Sequence, residues 1–362
     1  MCRMVQTEFY ISRLKLRIKK IIRHCKICII FRQKNCKQIM APLPPDRCNL
    51  SVPFQTTGID FAGPFDLKTS KLRNASCIKG YVSVFVCFST KAIHLEACSD
   101  LSTPAFRAAF ARFIGRRGLP RRIVSDNGRN FLGASRELSR EFASFINSAA
   151  EDISQKYITQ GFEWSFIPPH APHMGGLWEA AVKSFKFHFK RTAGAHKFNF
   201  EEFSTLLARI EGILNSRPIS AMSEDPSDLT ALTPGHFLTG KPIMAFPEPM
   251  TEQIALVKRW EQLKALHHQF FLRWKEDYLK ALHKRYKWKN PSSNLKPGDL
   301  VVVIDDLLPP SEWRLGRILN TYKGSDDNVR VADVKIVNGV ITRPIVKLCY
   351  LPFLKENDAL TN

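Results

Sequence analysis

The sequence predicts a mixed α/β fold followed by a β-rich C-terminal module. From about residue 53 to 240, strand-like segments come first and then alternate with helical ones, as in "TGIDFAGPF", "YVSVFVCFS" and "TPAFRAAFARFIGRRG". This order is typical of a mixed sheet that carries helices on its faces. Beyond it, a long amphipathic helix precedes short strands separated by turns, and this spacing predicts a small β-barrel.

Composition restricts the class of protein further. A chain of 362 residues with 44% hydrophobic and 11% aromatic residues can bury two or three cores, which excludes wholesale disorder. Lys and Arg number 54 against 33 acidic residues, a surplus that suits a polyanionic partner such as nucleic acid. No apolar run reaches membrane-spanning length, so no membrane partner is expected. The nine cysteines are odd in number and scattered, which favours a reducing, intracellular compartment.

The shifts in composition predict five segments. Residues 1–48 are basic and cysteine-rich and end in the proline cluster "APLPPDRC", and 49–245 form the α/β core. Residues 246–292 are an amphipathic helical connection, 293–354 the small barrel and 355–362 a tail. Trp260 and Trp274 belong to the aromatic stripe of the connecting helix, and we interpret that stripe as packing rather than as a surface for stacking DNA bases.

Within the core, the elements follow from periodicity and from their end signals. "TGIDFAGPF", "YVSVFVCFS" and "KAIHLEACS" predict three strands, and "TPAFRAAFARFIGRRG" predicts a helix that ends at a glycine. "IVSDNG" returns to strand, residues 133–160 are polar and helical, and "FEWSFIPP" is a strand ended by two prolines. Helices follow through "LWEAAVKSFKFHFKR" and "FEEFSTLLARIEGILNSRP".

Three acids have settings that need an explanation. Asp60 lies in the middle of the first strand, Asp126 ends a later strand, and Glu179 is in the first turn of a helix. A buried strand gains nothing from a central carboxylate unless that charge is paired or binds a metal. Carboxylate oxygens are the ligands that Mg²⁺ prefers, and two divalent cations held this way support phosphoryl transfer. The alternative for Asp126 is structural, because Asp-Asn-Gly is also good turn chemistry.

The helix of Glu179 has two distinct faces. Trp178, Val182, Phe185 and Phe189 form an apolar stripe, and one position further on a second row contains Glu179, Lys183, Lys186 and Lys190. An acid with a row of lysines suits a metal ligand beside a phosphate backbone. The alternative is a solvated surface with an i,i+4 Glu–Lys pair.

Several long blocks in order resemble one family. "TGIDFAGPF", "FVCFSTKAIHLEACSDLSTPAFRAAFARFIGRRGLPRRIVSDNGRNF", "WSFIPPHAPHMGGLWEAAVKSFK", "IEGILNSRPI" and "LTPGHFLTGKP" are similar to the integrases of BEL/Pao-type long-terminal-repeat retrotransposons. The resemblance implies an RNase H-like core with a catalytic Asp–Asp–Glu triad, which falls on Asp60, Asp126 and Glu179. It also implies two Mg²⁺ or Mn²⁺ ions bound by these acids, DNA as partner, Lys183 and Lys186 on the DNA backbone, self-association, and no small-molecule substrate.

The N-terminal segment carries half of a zinc pattern. "CKIC" places Cys25 and Cys28 at the spacing of two zinc ligands. The resemblance implies a His–His–Cys–Cys site whose histidines precede this pair, but no histidine precedes His24 in the sequence. We therefore expect the zinc module to be truncated and its site incomplete.

Other polar residues have both a functional and a structural interpretation. Arg116, Arg117, Arg121 and Arg122 precede the strand of Asp126, where they suit either phosphate contact or a solvated face. His170 and His173 fall in "PPHAPHMGG", where we expect a loop before the Glu179 helix and a DNA contact for His173, against a purely structural role. Glu96 is a further strand acid, and it is left out of the triad because its block resembles a structural strand of the family.

The resemblance implies a nuclear, metal-dependent polynucleotidyl transferase that processes the 3′ ends of element DNA and joins them to target DNA. One alternative is a non-catalytic nucleic-acid-binding remnant or co-opted protein derived from such an integrase. Another is a ribonuclease H, which would cleave RNA–DNA hybrids without joining DNA and would leave the terminal barrel and the CxxC pair without a role.

Overall fold

The structure is a computed structural model, and it describes residues 5–6, 8–25, 45–49, 51–70, 74–125, 136–157, 159, 161–167, 176–194, 196–243, 259–283, 294–305, 308–324 and 327–353. For residues 136–143, 145–146 and 176–179 it describes the backbone alone. The chain divides into two compact units, Met1–Pro44 and Pro45–Asn362. In the first, helix α1 (Leu14–His24) is strongly basic, and the chain leaves it in an extended conformation at Cys25.

The second unit is built on a mixed sheet. Its strands are β1 (Thr56–Lys68), β2 (Cys77–Cys87), β3 (Ile93–Cys98), β4 (Arg122–Ser125) and β5 (Glu163–Phe166), in the spatial order β3-β2-β1-β4-β5. The first three strands are antiparallel, whereas β4 and β5 run parallel to β1. A short strand, β6 (Phe198–Asn199), also pairs with β1. The mixed sheet predicted from the sequence is confirmed.

Helices cover both faces of this sheet. They are the short α2 (Pro45–Cys48), then α3 (Thr103–Arg117), α4 (Arg136–Tyr157), α5 (Gly176–Ala193) and α6 (Phe200–Asn215). Ser102 caps α3 by accepting the Ala105 N–H, and Gly118 ends it with φ +86°, which is the predicted glycine stop. A reciprocal pair of hydrogen bonds between Asn199 and Glu202 begins α6.

Two hydrophobic cores lie on opposite faces of the sheet. On one face, Ile59 and Phe61 of β1 pack with Phe106, Phe110 and Phe113 of α3. On the other, the core combines residues of the sheet with α5 and α6, namely Ala62, Val84, Val182, Phe185, Phe189, Leu206 and Ile210. Side chains of a strand alternate between faces, so Ile59 and Phe61 of β1 belong to the first core and Ala62 belongs to the second.

A long helix connects the core to the C-terminal module. After β7 (Ser220–Ala221), β8 (Ala231–Leu232) and α7 (Pro234–Thr239), helix α8 (Arg259–Leu282) packs against α5 and α6 with Leu263, Phe270 and Trp274. The predicted packing stripe is confirmed at these positions. It is wrong at Trp260, which is 48% exposed and lies beside the Arg209 guanidinium, with 5.6 Å between the Arg209 Cζ and the ring centre.

The C-terminal module is a five-stranded antiparallel sheet in the order β12-β11-β10-β9-β13. Its strands are β9 (Leu300–Val303), β10 (Arg314–Lys323), β11 (Val329–Ile336), β12 (Gly339–Pro344) and β13 (Leu348–Tyr350), with a 3₁₀ turn at Ile345–Lys347. Val301 and Val303 join a core made by the sheet itself, whereas Leu300 and Val302 pack with Leu279 of α8. Within the described part of the chain, β12 and β13 are edge strands. None of the described helices combines the length and apolarity needed to cross a bilayer.

Candidate active site

Asp60 lies in the middle of β1, between two buried residues. Its neighbours Ile59 and Phe61 are each 1% exposed and point into the α3 core. Strand alternation sends the Asp60 side chain to the opposite face, which α5 covers. That side chain is 17% exposed. The sequence therefore places a carboxylate in the apolar middle of the strand, at the contact between β1 and α5.

One lysine of α5 contacts the carboxylate. Lys186 Nζ lies 3.2 Å from Asp60 Oδ2, and the backbone N–H of Phe61 donates to Asp60 Oδ1 at 2.6 Å. The Lys186 side chain is 36% exposed, so this pair is partly screened by solvent. Both carboxylate oxygens have hydrogen-bond partners, and Lys186 is the one cation that the described ion pairs give Asp60.

Helix α5 is orientated by its apolar stripe. Val182, Phe185 and Phe189 are buried, as the sequence predicts, and the rings of Phe189 and Phe65 are 4.9 Å apart. Because this stripe packs against the sheet, α5 runs alongside β1 with Lys186 level with Asp60. Lys183 lies on the exposed side of the helix. The side chain of Trp178, the first predicted residue of the stripe, lies outside the described residues.

The other two acids of the predicted triad are described in part or not at all. Asp126 lies outside the described residues, but the preceding Ser125 is buried and pairs with Ile59 of β1, with Trp164 Nε1 donating to its Oγ at 3.0 Å. Glu179 lies in the first turn of α5, and its side chain is outside the description. Positions 179 and 186 are seven apart, so they lie on one face of the helix, about 10 Å along its axis.

Glu96 is buried in a different electrostatic setting. It is 4% exposed and accepts hydrogen bonds from Arg112 Nε at 2.7 Å and Arg116 Nη1 at 3.0 Å. His94 Nε2 lies 3.0 Å from the same carboxylate. Burial alone would raise the pKa of Glu96, but hydrogen bonds from His94 and Arg112 outweigh it and lower that pKa. Its omission from the triad agrees with this structural role.

A second buried acid completes the arrangement, which we call the His94 cluster: His94, Glu96, Arg112, Arg116, Arg117 and Glu211. Glu211 of α6 receives the Arg117 guanidinium and lies 3.1 Å from His94 Nδ1. Burial opposes ionisation of His94 and of Glu211. For His94, hydrogen bonds and charge interactions with the two glutamates outweigh burial and raise the pKa. In turn, hydrogen bonding to His94 and the nearby charges lower the pKa of Glu211 against its own burial.

The four predicted DNA-contact arginines therefore differ. Arg116 and Arg117 are paired with glutamates, and phosphate would have to compete with those pairs. Arg122 donates to Ser165 Oγ at 3.0 Å and lies 3.4 Å from Asp46. The Arg121 side chain is exposed. DNA contact stays a prediction for all four, with Arg117 the weakest candidate because only 18% of its side chain is exposed.

The remaining predicted residues fall mostly outside the description. His170, His173 and Cys28 are outside the described residues. Cys25 follows α1 in the first unit and is half-buried. Among the residues that the structure describes, no group of three or more His, Cys, Asp or Glu side chains is arranged to hold a metal ion.

Sequence reasoning missed the polar residues that protect the sheet edge. Glu211 Oε2 accepts the Leu95 N–H at 2.9 Å, and Asn215 bonds both the N–H and the C=O of Ile93 at 2.9 and 2.7 Å. These side chains of α6 take the hydrogen bonds that a further strand would make with β3. The available signal was Glu211 and Asn215, four residues apart among the apolar positions of "IEGILNSRPI".

The fold thus defines a mixed α/β protein with a C-terminal antiparallel sheet. Residues 258–351, which contain α8 and that sheet, match a protein family described as a family of unknown function (DUF5641). No curated protein matches the chain.

Two solved structures are similar at low identity. One is a cryo-EM structure of the simian T-cell lymphotropic virus intasome in complex with PP2A regulatory subunit B56 gamma, with 13% identity and a TM-score of 0.35, covering 94% of this chain and 92% of that chain. The other is the HTLV-2 integrase catalytic core domain in complex with magnesium in a trimeric form, with 16% identity and a TM-score of 0.30, covering 52% of this chain and 97% of that chain. Likenesses at this level do not by themselves assign a function.

Proposed function

We propose that this chain is an integrase of the BEL/Pao retrotransposon type, a metal-dependent polynucleotidyl transferase. It would trim the 3′ ends of element DNA and join them to a target duplex. The proposal rests on the five sequence blocks that resemble this family, and on the position of the acid in the first of them.

The position of Asp60 is the observation that carries the proposal. It is a strand-centre carboxylate on the α5 face of the sheet, where Lys186 is its described ionic partner at 3.2 Å. Ser125, the residue before Asp126, pairs with Ile59, the residue before Asp60. Val124, two residues before Asp126 in the sequence, belongs to the core on the α5 face. Glu179 and Lys186 share one side of α5.

The donor set fits divalent cations. Asp60, Asp126 and Glu179 would hold Mg²⁺ or Mn²⁺, because these ions prefer oxygen ligands. When bound, the cations supply activation of the attacking oxygen and stabilisation of the leaving one. The chain's own contribution is to place the acids on rigid elements and to align DNA, with Lys183 and Lys186 on the phosphate backbone. Such contacts position DNA without reading its sequence.

The partners follow from the same proposal. The substrates would be the ends of element DNA and a target duplex, and the net charge of +21 suits both. Processing of paired DNA ends implies self-association, and action on chromosomal DNA implies a nuclear location. Zinc would require ligands beyond Cys25 and Cys28.

A strand-transfer assay tests the proposal. The full chain is incubated with duplex ends resembling retroelement termini and with plasmid, in Mg²⁺ or Mn²⁺. We expect joined products from the wild type, none from Asp126→Asn, and wild-type levels from Asp66→Asn. Asp66 is the matched control because it is an exposed acid on the same strand as Asp60.

The assay also separates the alternatives. Joining that persists in Asp126→Asn would contradict the proposed triad. DNA binding without joining in every condition would favour the non-catalytic remnant, and cleavage of RNA–DNA hybrids without joining would favour a ribonuclease H.

A further inference from the structure

We propose that Lys186 is the internal counter-cation of Asp60 in the free chain, and that divalent cations bind this site in competition with it. The ammonium would leave Asp60 when DNA phosphate becomes available, so substrate binding would promote metal loading. This inference rests on the proposed function, since it takes Asp60 to be a metal ligand.

Lys186 contacts the Asp60 oxygen that a metal ion can reach most easily. Lys186 Nζ lies 3.2 Å from Asp60 Oδ2, the oxygen that the Phe61 N–H does not occupy. Because Oδ1 is held by a backbone N–H that is fixed in the strand, Oδ2 is the more accessible ligand atom. A cation that binds Oδ2 therefore meets the ammonium first.

The charge of the Lys186 ammonium opposes binding of a metal ion at Asp60. An ammonium and a divalent cation on one carboxylate repel each other, and both are partly shielded from solvent by the β1–α5 contact. The lysine can leave because its side chain is 36% exposed and long, whereas Asp60 is held in a strand. Displacement therefore costs the free energy of a partly exposed ion pair, which is small enough for a metal to overcome.

DNA phosphate is the alternative partner of Lys186. Lys183 is exposed one turn away from Lys186 on the same helix, so a phosphate backbone along α5 meets at least one cation before it reaches Asp60. Transfer of Lys186 to phosphate removes the competitor of the metal. By linkage, DNA then tightens metal binding as much as metal tightens DNA binding.

Mn²⁺ binding to the full chain tests this directly, with free Mn²⁺ measured by electron paramagnetic resonance and no catalytic turnover needed. We expect Lys186→Gln to bind Mn²⁺ about three- to ten-fold more tightly than the wild type, in proportion to the free energy of a partly exposed pair. Lys186→Arg keeps the charge and should stay near the wild type. Lys190→Gln is the matched control, because it removes an exposed charge one turn further along α5.

A second arm repeats the titration with a short duplex present. We expect the difference between the wild type and Lys186→Gln to shrink toward one-fold, because phosphate has already taken Lys186 in the wild type. Thermal unfolding and circular dichroism of each variant establish that it is folded.

The outcomes distinguish the two proposals. If Asp60→Asn weakens Mn²⁺ binding while Lys186→Gln leaves it unchanged, the counter-cation inference is overturned and the proposed metal site stands. If Lys186→Gln and Lys190→Gln tighten binding equally, the effect is general charge and the inference is again overturned. If Asp60→Asn binds Mn²⁺ as well as the wild type, Asp60 is no metal ligand and the proposed function itself fails.

Discussion

Asp60 and Glu96 are both acids within strands of one sheet, and the structure treats them differently. Glu96 on β3 is 4% exposed and receives two arginines and a histidine. Asp60 on β1 receives one described ammonium and one peptide N–H. The first acid is neutralised by His94 of the same strand and by Arg112 and Arg116 of α3. The second is left with a partner that can be exchanged.

Under the proposed function, this difference in pairing distinguishes the structural carboxylate of Glu96 from the ligand carboxylate of Asp60. A buried charge that several groups neutralise stabilises the fold only as long as every partner remains. A carboxylate with one solvent-accessible lysine can change its partner at low cost, as a ligand site requires. Removing charge should therefore affect activity at Asp60 and stability in the His94 cluster.

The largest effect is expected for Asp60→Asn. Loss of a metal ligand removes several kcal/mol of transition-state stabilisation, so strand transfer should fall ~1,000-fold. Its unfolding free energy, measured with urea, should change by less than about 1 kcal/mol, since the lost ion pair is partly exposed. Glu96→Gln should do the reverse, with a lower unfolding free energy and retained activity per folded molecule. Equal loss of stability in both variants would contradict the comparison.

The next effect is expected for Glu211→Ala. The change removes the buried counter-charge of Arg117, leaves His94 with Glu96 alone, and leaves the Leu95 N–H without its acceptor. We expect the unfolding free energy to fall by about 3 kcal/mol in urea denaturation. The matched control is Glu201→Ala, an exposed acid in the first turn of the same helix, which should cost under about 1 kcal/mol. Similar losses for both would show that the cluster does not stabilise the fold.

A smaller effect is the pH dependence set by His94. Its pKa is raised above the ordinary value of 6.5, because its bonds to Glu211 and Glu96 outweigh burial. The stabilisation is therefore complete below pH 6.5 and is lost as pH rises through the folded-state pKa. The two glutamates have lowered pKa values, so their stabilisation is present above about pH 4.5 and is lost in acid.

The measurement is the difference between the wild type and His94→Gln in urea unfolding at pH 6 to 8. Burial lowers the pKa of His188 and of His267, the latter to about 3, and both shifts act with the opposite sign. Both proteins contain His188 and His267, so those contributions cancel in the difference between the two unfolding free energies. That difference should narrow as pH rises, by at most about 1.4 kcal/mol per pH unit. A difference that is constant with pH would exclude protonation of His94 as its cause.

The smallest effect compares Arg116 with Lys183 in DNA binding. Arg116 pairs with Glu96, whereas Lys183 is exposed on α5. We expect Lys183→Gln to reduce the slope of log affinity against log salt by about 1, as loss of one phosphate contact does. Arg116→Gln should change that slope less. A larger change for Arg116 would mean that DNA displaces its ion pair.

Local patterns were predictable where the physical cause lies close in the chain. The apolar stripe of α5 at Val182, Phe185 and Phe189 follows from helical periodicity, and the end of α3 at Gly118 follows from its tolerance of positive φ. The prediction for Trp260 was wrong, because periodicity identifies a stripe but does not tell where along a helix its partner surface begins. The predicted small barrel is found as an antiparallel sheet with two described edges.

The sequence by itself determined that this is a basic, mixed α/β chain, because composition and the strand and helix periods are local properties. The cost of a buried charge drew attention to several acids, and the resemblance of their sequence blocks to an integrase family selected Asp60, Asp126 and Glu179 for the proposed triad. Only the tertiary structure decided which carboxylates are neutralised. Glu211 lies more than a hundred residues from His94 in the chain, and Lys186 is similarly distant from Asp60. Electrostatic pairing depends on distance in space, which packing of the helices on the sheet creates.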